Sequence, residues 1–190
     1  RGRWGVPMVR SMLVGLDGSP FAAAAVDLGV RWAKRFDAEL AGLAVVDDPV
    51  LTAAEATPIG AAYLPGEPDP EQVAAARKAA ERRLEVFALK CATADVRSVV
   101  IDDRDDPPAA FRRHGERFDV TLLGQKTHYR ALSQAGPCDT LDQLLHGTVR
   151  PVVAVPDRLG DGTGVVIAYD GGPEAARAVF AFAASGLGTG

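Results

Sequence analysis

The chain has 190 residues, of which 47% are hydrophobic, and a formal net charge of −4 at pH 7. This composition suits a folded domain rather than a disordered chain, and the negative charge provides no overall attraction to nucleic acid or to an anionic membrane. The apolar runs have the length of strands, so the sequence predicts no membrane span. Cys91 and Cys138 have no paired or metal-like spacing, as expected of a protein from a reducing cytoplasm.

The first apolar run, at residues 12–16, predicts a buried parallel strand that leads into a helix. It ends in Asp17-Gly18-Ser19-Pro20. The glycine permits a sharp turn, the serine can cap a helix, and the proline suits the first helical position. Apolar residues at helical spacing then predict a helix over residues 19–36. We take the seven residues at the start as an extension outside the domain.

The following elements alternate in the same way. A long connection at residues 47–69 precedes the second helix, whose N-cap is Asp69 and whose buried stripe ends at Cys91, a small core residue. The other predicted elements are strands at 40–46, 96–101, 120–123 and 151–155 and helices at 106–117 and 139–146.

This alternation predicts an α/β fold, an open doubly wound sheet of five parallel strands in the order 3-2-1-4-5, with helices on both faces. Ligands of such sheets bind beyond the carboxyl ends of the strands, where the winding reverses. We therefore expect a crevice among the turns at residues 17–19, 46–47 and 124–126.

The Asp-Gly-x-Pro motif of residues 17–20 recurs near the end of the chain, at residues 170–173. When Asp170 is aligned with Asp17, Gly171 falls on Gly18 and Pro173 on Pro20. We expect one domain at residues 9–157, a linker at 158–164, and the first strand and helix of a second, incomplete repeat at 165–190. Residues 165–169 are predicted to be a strand buried on both faces, and the chain a fragment of a longer tandem protein.

Other groups of polar residues have simpler interpretations. Asp102, Asp103, Asp105 and Asp106 form an acidic cluster, interpreted as a solvated face with Asp106 as a helix cap rather than as a cation site.

His114 and His146 are interpreted as surface or helix-end residues. His128 lies in the predicted crevice, but no serine, cysteine or carboxylate has a spacing typical of a catalytic triad. Cys138 is interpreted as a residue of a helix-capping region rather than as a reactive thiol.

The chain resembles the universal stress protein family in four stretches: residues 16–20 (Leu-Asp-Gly-Ser-Pro), 43–47 (Leu-Ala-Val-Val-Asp), 118–124 and 141–155. The resemblance extends over residues 12–155. The recurrence of the Asp-Gly-x-Pro motif is similar to the repeat in tandem members of the family. It implies ATP binding without a P-loop, in which Asp17 and Val45 hold the adenosine. The phosphates would lie in a Gly-x-x-Gly-x9-Gly-Ser/Thr loop after the fourth strand.

The match to this phosphate loop is poor. Gly124 fits the first glycine, but Thr127 occupies the second position, and the closing Gly-Ser is replaced by Pro137-Cys138 or Cys138-Asp139. Proline lacks an N–H donor, and Asp139 would bring a carboxylate near the phosphates. Adenosine or a smaller nucleotide suffers less from these changes than a triphosphate. The implied nucleotide site consists of Asp17, Gly18, Ser19, Val45, Gly124, Gln125, Lys126, Thr127, Gly136, Cys138, Asp139 and Thr140.

Three functions follow from this comparison. The first is a cytoplasmic, non-enzymatic stress-response protein that binds an adenine nucleotide, with Mg²⁺ only if the nucleotide is ATP. The second is a nucleotide-free relative that acts through a homodimer, an intramolecular second repeat or another partner. The third is an enzyme on the same kind of sheet, an ATP pyrophosphatase or a flavoprotein, although the Ser-Gly-Gly-x-Asp-Ser, Walker and Gly-x-Gly-x-x-Gly motifs are absent from the sequence.

Overall fold

The structure is a computed structural model, and it describes residues 9–47, 69–129, 140–160 and 164–187. Most of the long connection predicted at residues 47–69 therefore lies outside the described residues. The described part contains five strands and five helices in alternating order. The strands are β1 (Ser11–Gly15), β2 (Glu39–Val46), β3 (Ser98–Arg104), β4 (Val120–Gly124) and β5 (Val152–Val155). The helices are α1 (Pro20–Phe36), α2 (Pro70–Thr93), α3 (Pro107–Gly115), α4 (Thr140–Gly147) and α5 (Pro173–Ser185).

The five strands form one parallel sheet in the order β3-β2-β1-β4-β5, which confirms the predicted topology. β1 lies at the centre, where Leu13 pairs with Ala41 of β2 on one side and with Thr121 of β4 on the other. Apart from Ser11, every residue of β1 is buried. This burial on both faces explains why the strand is an unbroken apolar run.

The start of α1 follows the capping pattern seen in the sequence. The Ser19 hydroxyl accepts a hydrogen bond from the Ala22 N–H at 3.1 Å, and Pro20 occupies the first turn. Gly29 lets the helix lie directly on the sheet, because a β-carbon there would come within 2.9 Å of Leu40. The helix ends at Asp37 in the left-handed conformation.

The sheet is covered on both faces. One face is covered by α1 and α2. In this layer Met12, Val14 and Leu40 come from the sheet, and Phe87 and Cys91 come from α2. The other packs against α3 and α4 and includes Leu13, Leu43, Phe111, Leu123 and Leu144. Cys91 is fully buried, as predicted, and burial raises the pKa of its thiol despite the opposing effects of Ser98 and Lys90.

The predicted third strand is displaced in the structure. β3 begins at Ser98 rather than at residue 96 and continues to Arg104. Asp102 and Asp103 therefore belong to the strand, where they pair with Ala44 and Val45 of β2. An edge strand tolerates such polar residues because one of its sides meets solvent.

The C-terminal region contains the expected helix, α5, but not the expected strand. Residues 164–170 belong to no strand, and Val165, Val166, Ile167 and Tyr169 are 61%, 97%, 54% and 62% exposed. The interpretation of residues 165–169 as a strand buried on both faces is therefore wrong for this chain. The central position between β2 and β4 is already occupied by β1, so the second copy of the segment has no equivalent pair of neighbours. No helix in the described ranges is long and apolar enough to cross a bilayer.

Candidate functional site

Three segments meet at the carboxyl edge of the central strands. They are the turn between β1 and α1, the end of β2, and the residues that follow β4. The last β1–β2 pair is Gly15 with Leu43, and the Leu16 N–H donates to the Leu43 carbonyl at 2.9 Å. This is the edge of the sheet at which the winding predicts a crevice.

Asp17 joins two walls of this crevice. Its side chain is buried, at 5% exposure. One carboxylate oxygen accepts the Ser19 N–H at 2.8 Å, and the other accepts the His128 N–H at 2.7 Å. The first bond closes the β1–α1 turn, and the second fastens that turn to the segment after β4. Asp17 is therefore an organising residue of the crevice.

Val45 belongs to β2 and lies beyond the point at which β1 ends. The Glu39 N–H donates to Arg10, on the β1 side, and the Leu40 N–H donates to Arg97, on the β3 side. Because this direction alternates along a parallel strand, the N–H of Val45 points toward β1. Its position lies two residues past the last β1–β2 pair, and no backbone hydrogen bond joins it to the β1–α1 turn in the part of the chain described.

The segment after β4 packs closely against both neighbouring elements. A β-carbon on Gly124 would come within 2.7 Å of the Phe21 β-carbon, so α1 requires a glycine there. The Gln125 N–H donates to Val155 at 2.8 Å, and the Lys126 ammonium lies 5.8 Å from the centre of the Phe21 ring. Thr127 is buried at 5% exposure. The position at which the family loop has its second glycine is thus part of the packed structure.

Two residues at this edge were not found by sequence analysis. Tyr129 is buried, meets the Phe111 ring edge-on at 5.2 Å, and places its hydroxyl against Gly15. Arg83 of α2 lies against Gly18, whose φ is +82°, and a β-carbon there would come within 2.8 Å of the Arg83 Nε. No sequence motif marks either residue, because each reaches the crevice from a separate element.

The structure brings most of the expected site residues to one edge of the sheet. These are Asp17, Gly18, Ser19, Val45, Gly124, Gln125, Lys126 and Thr127. Thr140, the first residue of α4, is fully buried. Gly136, Cys138 and Asp139 lie outside the described residues, so their assignment remains a prediction.

Within the acidic cluster at the end of β3, Asp102 is exposed, as a solvated face requires, but Asp103 and Asp105 belong to an ion-pair network. The Arg113 guanidinium bonds to Asp103 and to Asp105 at 2.5 Å each, and the His114 Nε2 lies 2.6 Å from the same Asp103 carboxylate. Burial raises the pKa of Asp103, but hydrogen bonds from His114 and Arg113 outweigh it, and the pKa is lowered overall. Asp106 caps α3 as predicted, through the Ala109 N–H at 3.3 Å.

His114 lies in the last turn of α3, as the helix-end interpretation expects, but it is not an exposed surface residue. Its side chain is 15% exposed, and its Nδ1 is buried with no hydrogen-bond partner among the residues that the structure describes. His146, in contrast, is exposed at the end of α4, as predicted. Within the same ranges, no group of three or more histidine, cysteine, aspartate or glutamate residues is arranged to hold a metal ion.

Comparison with known proteins places these observations in a family. The family model described as "Universal stress protein family" matches residues 8–156. A universal stress family protein from Burkholderia pseudomallei aligns with a TM-score of 0.57 at 22% identity, over 78% of this chain and 97% of that one. UspA from Lactobacillus plantarum aligns with a TM-score of 0.53 at 22% identity, over 77% and 97%. At these identities the solved structures support the fold alone, and no curated protein matches the sequence.

The family match covers both the central turn of Asp17 and the sheet order found in the structure. The chain therefore belongs to the universal stress protein family.

Proposed function

We propose that this protein binds an adenine nucleotide in the crevice between the β1–α1 turn and the end of β2. The proposal is carried by the main chain of Val45. Its N–H is directed to the side of β2 on which β1 lies, but at a level beyond the last residue of β1. An adenine ring offers an acceptor and a donor along one edge, and strand peptide groups that make no backbone hydrogen bond to the neighbouring turn can meet both. A backbone contact of this kind recognises the base and leaves the sugar directed toward the turn.

The β1–α1 turn forms the second wall of the proposed site. Asp17, Gly18 and Ser19 hold the turn in one conformation, because the carboxylate bonds link it to Ser19 and His128. The side chains of Gln125 and Lys126 are exposed beside it. Fixed walls reduce the ordering entropy that binding must overcome.

The nucleotide is proposed to be smaller than ATP. Thr127 occupies a position where the family loop has a glycine, and the predicted loop also brings in the carboxylate of Asp139. Both changes disfavour a polyphosphate, through fewer accessible N–H donors and through charge repulsion. Mg²⁺ belongs to the site only with a polyphosphate, so we expect AMP or ADP without a resident metal.

The proposed role is regulatory and non-enzymatic. Binding of the nucleotide would change how the protein interacts with a second copy of itself or with a second repeat, in the cytoplasm. The lack of a paired cysteine spacing in the sequence and the net negative charge support this setting, and they give no reason to expect nucleic acid or a membrane as partner.

A second candidate is a nucleotide-free protein that acts through protein contacts alone. The observation that favours it is that both oxygens of Asp17 already bind the protein's own backbone. Tyr129 also packs its hydroxyl against Gly15, at the end of β1. A crevice organised in this way is stable without a ligand.

Small molecules released from the purified, gently denatured protein would separate the two functions. Mass spectrometry should find an adenine compound in an amount close to that of the protein, and calorimetry should show that the emptied protein binds AMP again. If no adenine compound is released and neither adenosine, AMP nor ADP binds, the nucleotide-free function is correct.

We also propose that residues 165–190 belong to a second repeat, separated from the domain at 9–157 by a linker at 158–164. The turn of the first repeat is reproduced closely. Asp170 accepts the Gly172 N–H at 2.7 Å, where Asp17 accepts that of Ser19 at 2.8 Å. Gly171 has φ +84°, where Gly18 has +82°. Two such similar turns support the interpretation of residues 165–190 as part of a second repeat.

A further inference from the structure

An arginine lies at the rim of the crevice without a carboxylate partner. Arg83 is half-buried on α2, and no ion pair involves it in the described ranges. The positions three and four residues away on the same helix are Ala79, Ala80, Val86 and Phe87, so α2 offers it no acidic neighbour. A guanidinium that is partly removed from water is stabilised by a nearby anion.

The packing of α2 determines where Arg83 lies along the direction of the strands. Phe87 rests on Gly42 in the middle of β2, where a β-carbon would come within 2.6 Å of its ring. Arg83 is one helical turn before Phe87, which moves it about 5.4 Å along the helix axis. Since α2 runs back from the carboxyl edge, this step brings Arg83 toward the end of β2, where Val45 lies.

The guanidinium then meets the β1–α1 turn. A β-carbon on Gly18 would be 2.8 Å from the Arg83 Nε and 3.3 Å from its Cζ and from one terminal nitrogen. Gly18 therefore serves two purposes, since it adopts φ +82° and leaves space for the arginine. Arg83 approaches from α2, on the β2 side of the turn, and Lys126 from the β4 side, over Phe21.

Two basic side chains flank this point. The first turn of α1 contains no acidic residue, and the carboxylate of Asp17 is already bonded to two backbone N–H groups. Arg83 and Lys126 contribute two positive charges on either side of the turn. A guanidinium presents paired N–H donors that match the oxygens of a phosphate.

We propose that Arg83 is the phosphate-recognising residue of the crevice, so that the site selects a 5′-phosphorylated adenosine over adenosine itself. This rests on the proposed nucleotide function. It assigns the phosphate contact to a residue of α2 that lies outside the segment following β4.

Calorimetry with two ligands, adenosine and AMP, tests the assignment. The wild-type protein should bind AMP about tenfold or more tightly than adenosine, as expected for one charge-assisted pair. Arg83→Gln should remove this difference and leave adenosine affinity unchanged. Arg83→Lys, which keeps the charge but loses the paired donors, should retain part of it. The matched control is Arg82→Gln on the exposed side of the same helix, which should bind both ligands as the wild type does.

The failures of the two proposals are distinguishable. If the wild-type protein binds neither ligand, the nucleotide function and the role of Arg83 both fail. If it binds adenosine and AMP equally, or if Arg83→Gln keeps the preference for AMP, only the role of Arg83 fails. A melting curve close to that of the wild type shows that the Arg83 variants are folded, and raised salt should reduce the AMP preference of the wild type.

Discussion

The hydroxyl of Tyr129 occupies the space that a β-carbon on Gly15, the last residue of β1, would fill. A β-carbon on Gly15 would also come within 2.6 Å of Leu123 and 2.8 Å of Phe111. The glycine is thus surrounded by three large side chains, one of them from the segment after β4. The end of the central strand and one wall of the crevice are packed as a single unit.

We expect Gly15→Ala to destabilise the protein by about 1–3 kcal/mol or more, because an added methyl group in a filled core forces its neighbours to move. Adding Tyr129→Phe should restore only part of the loss, since Leu123 and Phe111 still oppose the methyl group. Denaturant unfolding of both variants measures this. The matched control is Gly164→Ala, at a position with open space around it, which should unfold like the wild type.

Asp17 and Asp170 occupy equivalent turns but differ in their surroundings. Asp17 is buried and accepts two backbone hydrogen bonds, whereas Asp170 is exposed and accepts one. Asp17→Ala leaves the buried Ser19 N–H and the partly buried His128 N–H without their acceptor and should destabilise the protein by about 2 kcal/mol. Asp170→Ala, an exposed change, should have an effect below about 0.5 kcal/mol. Equal melting temperatures for the two variants would show that the Asp17 bonds contribute no stability.

Sequence patterns were sufficient for the topology because the relevant signals are local. Ser19, Pro20 and the apolar run before them determine a strand, a turn and a helix over a few residues. The order of the sheet then follows from alternation and from right-handed crossovers. The cap at Asp106 and the burial of Cys91 were predicted for the same reason.

The errors concern contacts between distant residues. The partners of Asp103 are eleven residues away at most, but they come from α3 and become visible only when that helix packs beside β3. Tyr129 and Arg83 reach the crevice from separate elements, which no linear pattern records. The strand expected at residues 165–169 requires neighbours on both sides, so its local sequence could not decide whether it forms.

The ion pairs of Asp103 predict a loss of stability in acid. Burial raises the pKa of its carboxyl, but His114 and Arg113 lower it by more, so the folded value lies below the unfolded one. A carboxyl with a lowered pKa contributes stability above its unfolded pKa of about 3.9, and this is lost as the pH falls through the folded value. Asp103→Asn should therefore lower the melting temperature at pH 7 and flatten its fall below about pH 4. A parallel shift of the two melting curves at all pH values would contradict this. Asp102→Asn, at the neighbouring exposed acid, is the matched control.

The last prediction concerns the residues after the domain. Leu159 packs against the core on the side of α1, whereas only Ser185 of α5 is buried. Removal of residues 161–190 should therefore change the melting temperature by less than about 2 °C, which corresponds to less than about 1 kcal/mol for a domain of this size. Solubility should rise, because Val166 and its apolar neighbours are exposed. Removal of residues 156–190 is the matched control, since it also deletes Leu159 and should lower the melting temperature measurably. If the shorter deletion lowers it just as much, residues 161–190 belong to the core of the first domain and are not part of a second repeat.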